Sequence, residues 1–272
     1  MNRNARRKII GGLSSLILLF ILVEAGLRLF DPLGIWRWYN NLDILEHHKI
    51  GIEGRGYGYR PGFIRLHGWS VTILPDGGRQ VPHTALDANC TLVFLGDSYT
   101  FGMGVSDEET WIDLLARDFP TAHMINAGIP GYSSAAIEAV YHAYPDAHAF
   151  IYLTIGNDDQ AVFVFTPQSR SAVFALRSYA VILMDTRIEK YDHDPARLYR
   201  NLDVLTGDTR LTLVAFDTAY GQALKTQYPI MFIPTFENPI SWMDRHANEK
   251  GNQEIAASML PIVKRVIQRG CS

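Results

Sequence analysis

Residues 91–105 read TLVFLGDSYTFGMGV, and this stretch decides the fold of the chain. Its first five residues are apolar, as expected of a strand buried on both faces of a parallel sheet. Gly96, Asp97 and Ser98 then form a turn, and small residues lead toward a helix. Open α/β sheets are built from such strand–turn–helix units. The segment therefore predicts a sheet of this kind, with Ser98 exposed at its carboxyl end.

The same alternation continues to the end of the domain. Apolar helix stripes are predicted within 111–119, 137–144 and 255–267, and further short strands at His123–Asn126, Ala149–Ile155, Leu211–Phe216 and Ile230–Ile233. This order predicts a five-stranded, mainly parallel sheet with helices on both faces. Residues 160–205 interrupt the rhythm. We expect an insertion over the carboxyl edge there, with a helix at Ala196–Leu205, acting as a lid, a substrate wall or ordinary packing.

The composition of the 272 residues excludes several classes of protein. Hydrophobic residues make up 47% of the chain, which is too many for a disordered protein. Two cysteines are too few for a disulfide-stapled miniprotein. The net charge of −3 divides into +4 for the first 30 residues and −7 for the remaining 242. Without a basic cluster in the body, no nucleic-acid partner is expected.

The first 30 residues predict a membrane segment. Four basic residues precede an apolar run, and a helix from Ile9 to Phe30 would measure about 33 Å, enough to span a hydrocarbon core of about 30 Å. Glu24 and Arg28 are spaced to pair near the far interface. An uncleaved signal anchor is favoured, and a cleaved signal peptide and a buried soluble helix are the alternatives. Both export interpretations place the body on the periplasmic side of the cytoplasmic membrane.

Three regions follow from these patterns. They are an anchor (1–30), a juxtamembrane connector (31–88) and an α/β domain (89–272). In the connector, strands are predicted at Phe63–Leu66 and Trp69–Leu74, and the Asp76-Gly77-Gly78 turn favours a hairpin reversal. The sequence assigns no chemistry to the connector.

The two cysteines lie at opposite ends of the α/β domain. Cys90 begins its first strand and Cys271 ends its last helix. Outside the cytoplasm they could form a disulfide that closes a loop of about 180 residues. Two unrelated free thiols are the alternative.

Polar residues at four strand–helix junctions suggest acyl-transfer chemistry. A serine hydroxyl such as that of Ser98 needs an adjacent base, and His246 would supply it. Asp244 would orient the imidazole and stabilise its charged form. The backbone N–H groups of Ser98 and Gly128 and the side-chain amide of Asn157 could form an oxyanion hole.

Here the sequence resembles the SGNH hydrolases, also called GDSL-type esterases. Ser98, Gly128, Asn157 and His246 match the four named residues of that family in order, over roughly residues 90–270. The string 96–105 is similar to a membrane-anchored branch of the family found with surface polysaccharide systems. The resemblance implies a flavodoxin-like α/β/α sandwich and a Ser-His-Asp triad, with no cofactor. No metal site is expected from the histidines, because His47 and His48 would point apart on a strand and Asp192-His193-Asp194 is explained as a polar helix cap before Pro195.

Two departures from the family pattern bear on the site. The family often has Asp-x-x-His, whereas this chain has Asp244 two residues before His246. Residues two apart point to the same side only in an extended segment, so the pair requires an extended loop. Ile155 also stands where many family members have glycine.

These observations together predict an extracytoplasmic serine esterase acting on a small-molecule or glycan acyl ester. An O-acyltransferase or deacetylase acting on a cell-surface glycan is one alternative, since membrane anchoring fits it. A non-catalytic glycan-binding or assembly factor is another. The acyl chain, the alcohol and the oligomeric state are left open by the sequence.

Overall fold

The chain begins with a long apolar helix. In the computed structural model, which describes residues 3–159 and 194–271, helix α1 spans Arg3–Phe30. Its part from Ile10 to Phe30 is long and apolar enough to cross a membrane. The end of this part contacts the connector, since Leu27 packs against Ile35. The predicted pair forms, since Arg28 Nε lies 2.7 Å from Glu24 Oε1.

The connector contains a helix and two antiparallel hairpins. Helix α2 spans Ile35–His47, and the strands are β1 (Lys49–Ile52), β2 (Gly56–Tyr59), β3 (Gly62–Arg65) and β4 (Ser70–Ile73). Strand β1 pairs with β2, and β3 pairs with β4. The second hairpin joins the two predicted strands and reverses between residues 65 and 70. The chain also reverses at Asp76-Gly77-Gly78 as expected, since Ile73 forms an antiparallel bridge with Arg79, and Arg79 bridges Asn126 as well.

A five-stranded parallel sheet forms the centre of the α/β domain. Its strands are β5 (Thr91–Gly96), β6 (His123–Asn126), β7 (Ala149–Thr154), β8 (Leu211–Phe216) and β9 (Ile230–Ile233). They lie in the order β6-β5-β7-β8-β9, and every pairing is parallel. This is the flavodoxin-like order, in which ligands bind where the strand order reverses, between β5 and β7. The predicted fold class is confirmed.

Helices cover both faces of the sheet. They are α3 (Ser98–Phe101), α4 (Trp111–Asp118), α5 (Ser134–Tyr141), α6 (Pro195–Thr206), α7 (Ala219–Lys225) and α8 (Glu249–Gly270). Leu92 and Phe94 of β5 pack in one core with α4 and α8, whereas Val93 and Leu95 pack in another with α5, α6 and the connector. Alternate residues of one strand therefore serve two cores, as expected of a three-layer sandwich. Helix α6 confirms the helix predicted at Ala196–Leu205, and the rest of the expected insertion lies outside the described residues.

Two features tie the ends of the domain and the connector together. Cys90 and Cys271 form a disulfide with their Cα atoms 5.4 Å apart, which joins the start of β5 to the end of α8. Arg79 is fully buried and pairs with Asp107 through a 2.8 Å contact. Its guanidinium also donates to the carbonyl oxygens of Phe101 and Gly102, just after the predicted nucleophile. The connector is thereby fixed to the Ser98 segment.

Candidate active site

The turn between β5 and α3 presents Ser98 at the carboxyl edge of the sheet. Gly96 has a φ of +153°, and a Cβ atom there would overlap the Thr100 side chain and lie 3.0 Å from the Leu153 carbonyl oxygen. Only glycine permits this turn. Asp97 caps α3 by accepting the Tyr99 N–H at 3.0 Å. Ser98 is therefore the first residue of a helix, where backbone N–H groups have no partner within the helix.

Ser98, His246 and Asp244 form one hydrogen-bonded chain. His246 Nε2 lies 2.7 Å from Ser98 Oγ, and His246 Nδ1 lies 2.7 Å from Asp244 Oδ1. Because the carboxylate accepts the Nδ1 proton, Nε2 is left to accept the proton of the serine hydroxyl. The backbone N–H of His246 also donates to Asp244 Oδ1, at 3.1 Å. The structure thus brings the three predicted residues together despite their two-residue Asp–His spacing.

The loop of residues 239–247, called here the His246 loop, holds His246 and Asp244 in a tight chain reversal. Ile240 N–H donates to the His246 carbonyl oxygen at 2.8 Å, and Pro239 bridges Ala247. Ser241 Oγ accepts the Asp244 N–H at 2.9 Å. These bonds fix both side chains of the pair before α8 begins.

Aromatic rings lie on two sides of the imidazole. The Trp38 ring is 5.4 Å from the His246 ring at an interplanar angle of 28°, and the Tyr99 ring is 5.0 Å away at 40°. Trp38 belongs to α2, so the connector contributes to the site although the sequence assigned it no chemistry. The sequence signal for this contribution is the aromatic group Trp36, Trp38 and Tyr39 just after the apolar helix.

A cavity of about 950 Å³ opens beside Ser98 and His246. Much of its wall is aromatic or aliphatic, and side chains from the connector and from the α/β domain share it, among them Trp38, Leu42, Tyr57, Phe216, Tyr220 and Phe236. Glu46 and Lys49 form a salt bridge at its wall, and the Lys49 ammonium lies 3.9 Å from the centre of the Tyr57 ring. Burial raises the pKa of Glu46 and lowers that of Lys49. The wall can accommodate an apolar group.

The predicted oxyanion donors differ in their placement. Asn157 lines the cavity, with Nδ2 3.4 Å from Asp97 Oδ2. Gly128 does not line it, and its N–H donates to Asn126 Oδ1 at 3.1 Å. A Cβ atom at Gly128 would clash with the backbone nitrogen of Phe101, so packing against α3 explains that glycine. Gly131 does line the cavity, at a φ of +79°. Sequence reasoning missed it, although it ends the same Gly128-Ile129-Pro130-Gly131 segment.

A buried carboxyl group holds the loop that carries Asn157. Asp158 Oδ2 accepts from the hydroxyls of Tyr152 and Thr154, both at 2.7 Å, and from the Ile155 N–H at 3.0 Å. Burial, with the nearby Asp97 carboxylate, raises the pKa of Asp158 to about 8. Burial also raises the pKa of Asp97. These bonds give Asp158 a structural role, because they fix the loop that carries Asn157.

The arrangement has the groups that can serve as a nucleophile, a base and an orienting acid. Within residues 3–159 and 194–271, no three His, Cys, Asp or Glu side chains cluster so that they could hold a metal ion. Serine acyl transfer needs nothing further from the protein than these groups and donors for the oxyanion.

Comparison with solved structures finds chains of similar architecture. A lipolytic G-D-S-L family protein from Veillonella parvula is 14% identical, with a TM-score of 0.41, and the match covers 65% of this chain and 99% of that one. A carbohydrate acetylesterase family member from Sinorhizobium meliloti is 13% identical, with a TM-score of 0.43, and the match covers 66% of this chain and 99% of that one. The psychrotrophic esterase EstA from Pseudoalteromonas sp. is 16% identical, with a TM-score of 0.45, and the match covers 66% of this chain and 100% of that one. No protein-family model and no curated protein matches the sequence.

Proposed function

We propose that this protein is a membrane-anchored serine esterase that hydrolyses an acyl ester. The observation that carries the proposal is the chain of two 2.7 Å contacts from Asp244 through His246 to Ser98, at the wall of a largely apolar cavity. A hydroxyl at that distance from an oriented imidazole is an activated nucleophile.

The reaction proceeds in two acyl transfers. Ser98 Oγ attacks the ester carbonyl carbon while its proton passes to His246 Nε2, and Asp244 stabilises the imidazolium. The tetrahedral intermediate collapses when His246 returns the proton to the leaving alcohol oxygen. Water then attacks the acyl-serine by the same route, releasing the acid and restoring the Ser98 hydroxyl.

Three donors are proposed for the oxyanion. They are the Ser98 N–H, the Asn157 side-chain amide and the Gly131 N–H. Gly131 is preferred to Gly128 because Gly131 lines the cavity, whereas the Gly128 N–H is engaged by Asn126. Donors of this kind act by being fixed before charge develops on the oxygen.

The body of the protein is proposed to lie on the periplasmic side of the cytoplasmic membrane. Basic residues before the apolar helix favour a cytoplasmic N-terminus. The Cys90–Cys271 disulfide supports an oxidising compartment. Protease added to intact spheroplasts should digest the body, and protection of the body would contradict this placement.

The test of the chemistry is a pair of serine variants of the full chain. Ser98→Ala should abolish ester hydrolysis and labelling by a fluorophosphonate, whose phosphorus forms a bond to Oγ as fluoride leaves. Ser258→Ala is the matched control, because its hydroxyl donates to the Glu254 carbonyl oxygen within α8. It should keep both activities. Labelling that persists in Ser98→Ala would refute the assignment of the nucleophile.

A further inference from the structure

The His246 loop is fixed to the end of the apolar helix. Met243 N–H donates to the Leu33 carbonyl oxygen at 3.1 Å, three residues after α1 ends at Phe30. Ile35 is fully buried in a small core that includes Met243. Gly34 lies so close to Ser241 that a Cβ atom would overlap the serine side chain. The loop that carries the base therefore rests on the segment that leaves the proposed membrane span.

The path from the apolar helix to the loop is short. Gly34 N–H donates to the Asp31 carbonyl oxygen at 3.0 Å, so residues 31–34 form a turn rather than an extended linker. A turn of under 7 Å, one hydrogen bond and one Cα–Cα step set an upper limit, so the Trp242 backbone lies within roughly 15 Å of Asp31, the residue after the helix. A bilayer that holds Ile10–Phe30 would have its headgroup region at this level.

The outward side chains of the loop suit a lipid surface. Trp242 is 51% exposed although its neighbour Met243 packs inward. Tryptophan is enriched where hydrocarbon meets water. The exposed charge in the loop is that of Arg245, since Asp244 is buried against His246. A cation at this level favours anionic headgroups.

We propose that the His246 loop docks on the membrane that anchors the chain, with Trp242 inserted among the lipid headgroups. The cavity beside His246 is then held next to the bilayer surface. This contact depends on insertion of α1 and is independent of the chemistry assigned to Ser98.

The test places a reporter on the loop of the full chain. Both native cysteines are in the disulfide, so a cysteine introduced by Trp242→Cys can be labelled selectively with an environment-sensitive fluorophore. The protein is reconstituted into vesicles of phosphatidylcholine and phosphatidylglycerol that contain nitroxide-labelled lipid. Leu86→Cys is the matched control. Leu86 is 73% exposed, and the neighbouring Ala85 bonds to Ala122 at the amino edge of the sheet, opposite Ser98.

We expect the label at position 242 to be blue-shifted in vesicles and quenched several-fold more strongly by the nitroxide lipid than the label at position 86. Arg245→Cys gives a second reporter on the same loop and should show quenching above that of position 86. Equal quenching at positions 242 and 86 would overturn the proposal. Because the readout is lipid contact rather than ester hydrolysis, its failure is distinguishable from failure of the esterase assignment.

Discussion

Replacing Asp244 by asparagine removes the charge of the proposed orienting acid. Asp244 Oδ1 accepts both the His246 Nδ1 proton and the His246 backbone N–H. The amide of Asp244→Asn can hold the imidazole in place, but its NH2 group can donate to Nδ1 and so favour the tautomer that carries its proton on Nε2. The change then removes the negative charge that faces the imidazolium in the transition state. Both side chains are largely buried, at 13% and 9% exposure, so solvent screens this charge only partly.

The expected loss follows from Coulomb's law. Unit charges roughly 4 Å apart at an effective dielectric constant of about 20 interact by about 4 kcal/mol. A transition state raised by that amount lowers kcat about 10³-fold. The measurement is kcat for p-nitrophenyl acetate hydrolysis at saturating substrate, with Tm recorded for each variant.

Asp113→Asn is the matched control for this prediction. Asp113 is a fully buried carboxylate of α4 that pairs with His83 Nδ1 at 2.8 Å, outside the cavity. Its loss should lower Tm and leave kcat unchanged. The reasoning is refuted if Asp244→Asn loses less than about tenfold, or 1.4 kcal/mol, because the charge would then not act on the transition state. An equal fall of kcat in Asp113→Asn would equally refute it.

Three further predictions concern the oxyanion hole, the disulfide and a buried acid. Asn157→Ala should lower kcat about 10²- to 10³-fold without a comparable change in KM, and steady-state kinetics of Asn157→Ala and the wild-type protein measure both constants. Replacing Cys90 and Cys271 by alanine should lower the free energy of unfolding by about 5 kcal/mol, from the loop entropy over a separation of 181 residues. Urea titration measures it, and an unchanged midpoint would contradict it. Asp158 binds a proton in the folded state up to a pKa of about 8, against 3.8 ordinarily, so the folded protein should lose stability as pH rises from about 4 to 8. Asp158→Asn should flatten that dependence of Tm, and parallel curves for the two proteins would count against the buried proton.

Much of the α/β domain could be predicted because its signals are local. The strands β5 to β9 are short apolar runs bounded by glycine or polar residues, and all five were located to within about one residue. The proximity of Ser98, His246 and Asp244 could be predicted because each lies at a strand–helix junction, and parallel strands bring such junctions to one edge.

Helix α2 escaped prediction because its stabilising contacts are distant or unusual. Its first N–H groups, those of Trp36 and Arg37, are capped by Asp31, five and six residues away, rather than by an adjacent residue. Gly34 enters the helix at a φ of +72°. Ile35 of this helix packs in one core with Met243, more than 200 residues later in the chain. The pattern of apolar residues within the connector cannot predict so distant a contact.

The different positions of Gly128 and Gly131 relative to the cavity show a similar limit. Both glycines follow β6, and either could donate an N–H by sequence alone. Which N–H is free depends on the Asn126 side chain, which turns back to accept from Gly128. The orientation of the Asn126 side chain is set by its surroundings in the folded protein, and the spacing of the glycines in the sequence does not reveal it.

The disulfide also has a consequence for biosynthesis. At about 5–20 residues per second, roughly 10–40 s separate the synthesis of Cys90 from that of Cys271, so the ring around the site closes late. With two cysteines in the sequence, one intrachain pairing is possible. Maturation therefore needs one oxidation step and no rearrangement of disulfides by an isomerase. Under oxidative stress, the misfolded product to expect is a dimer joined by a disulfide between two chains.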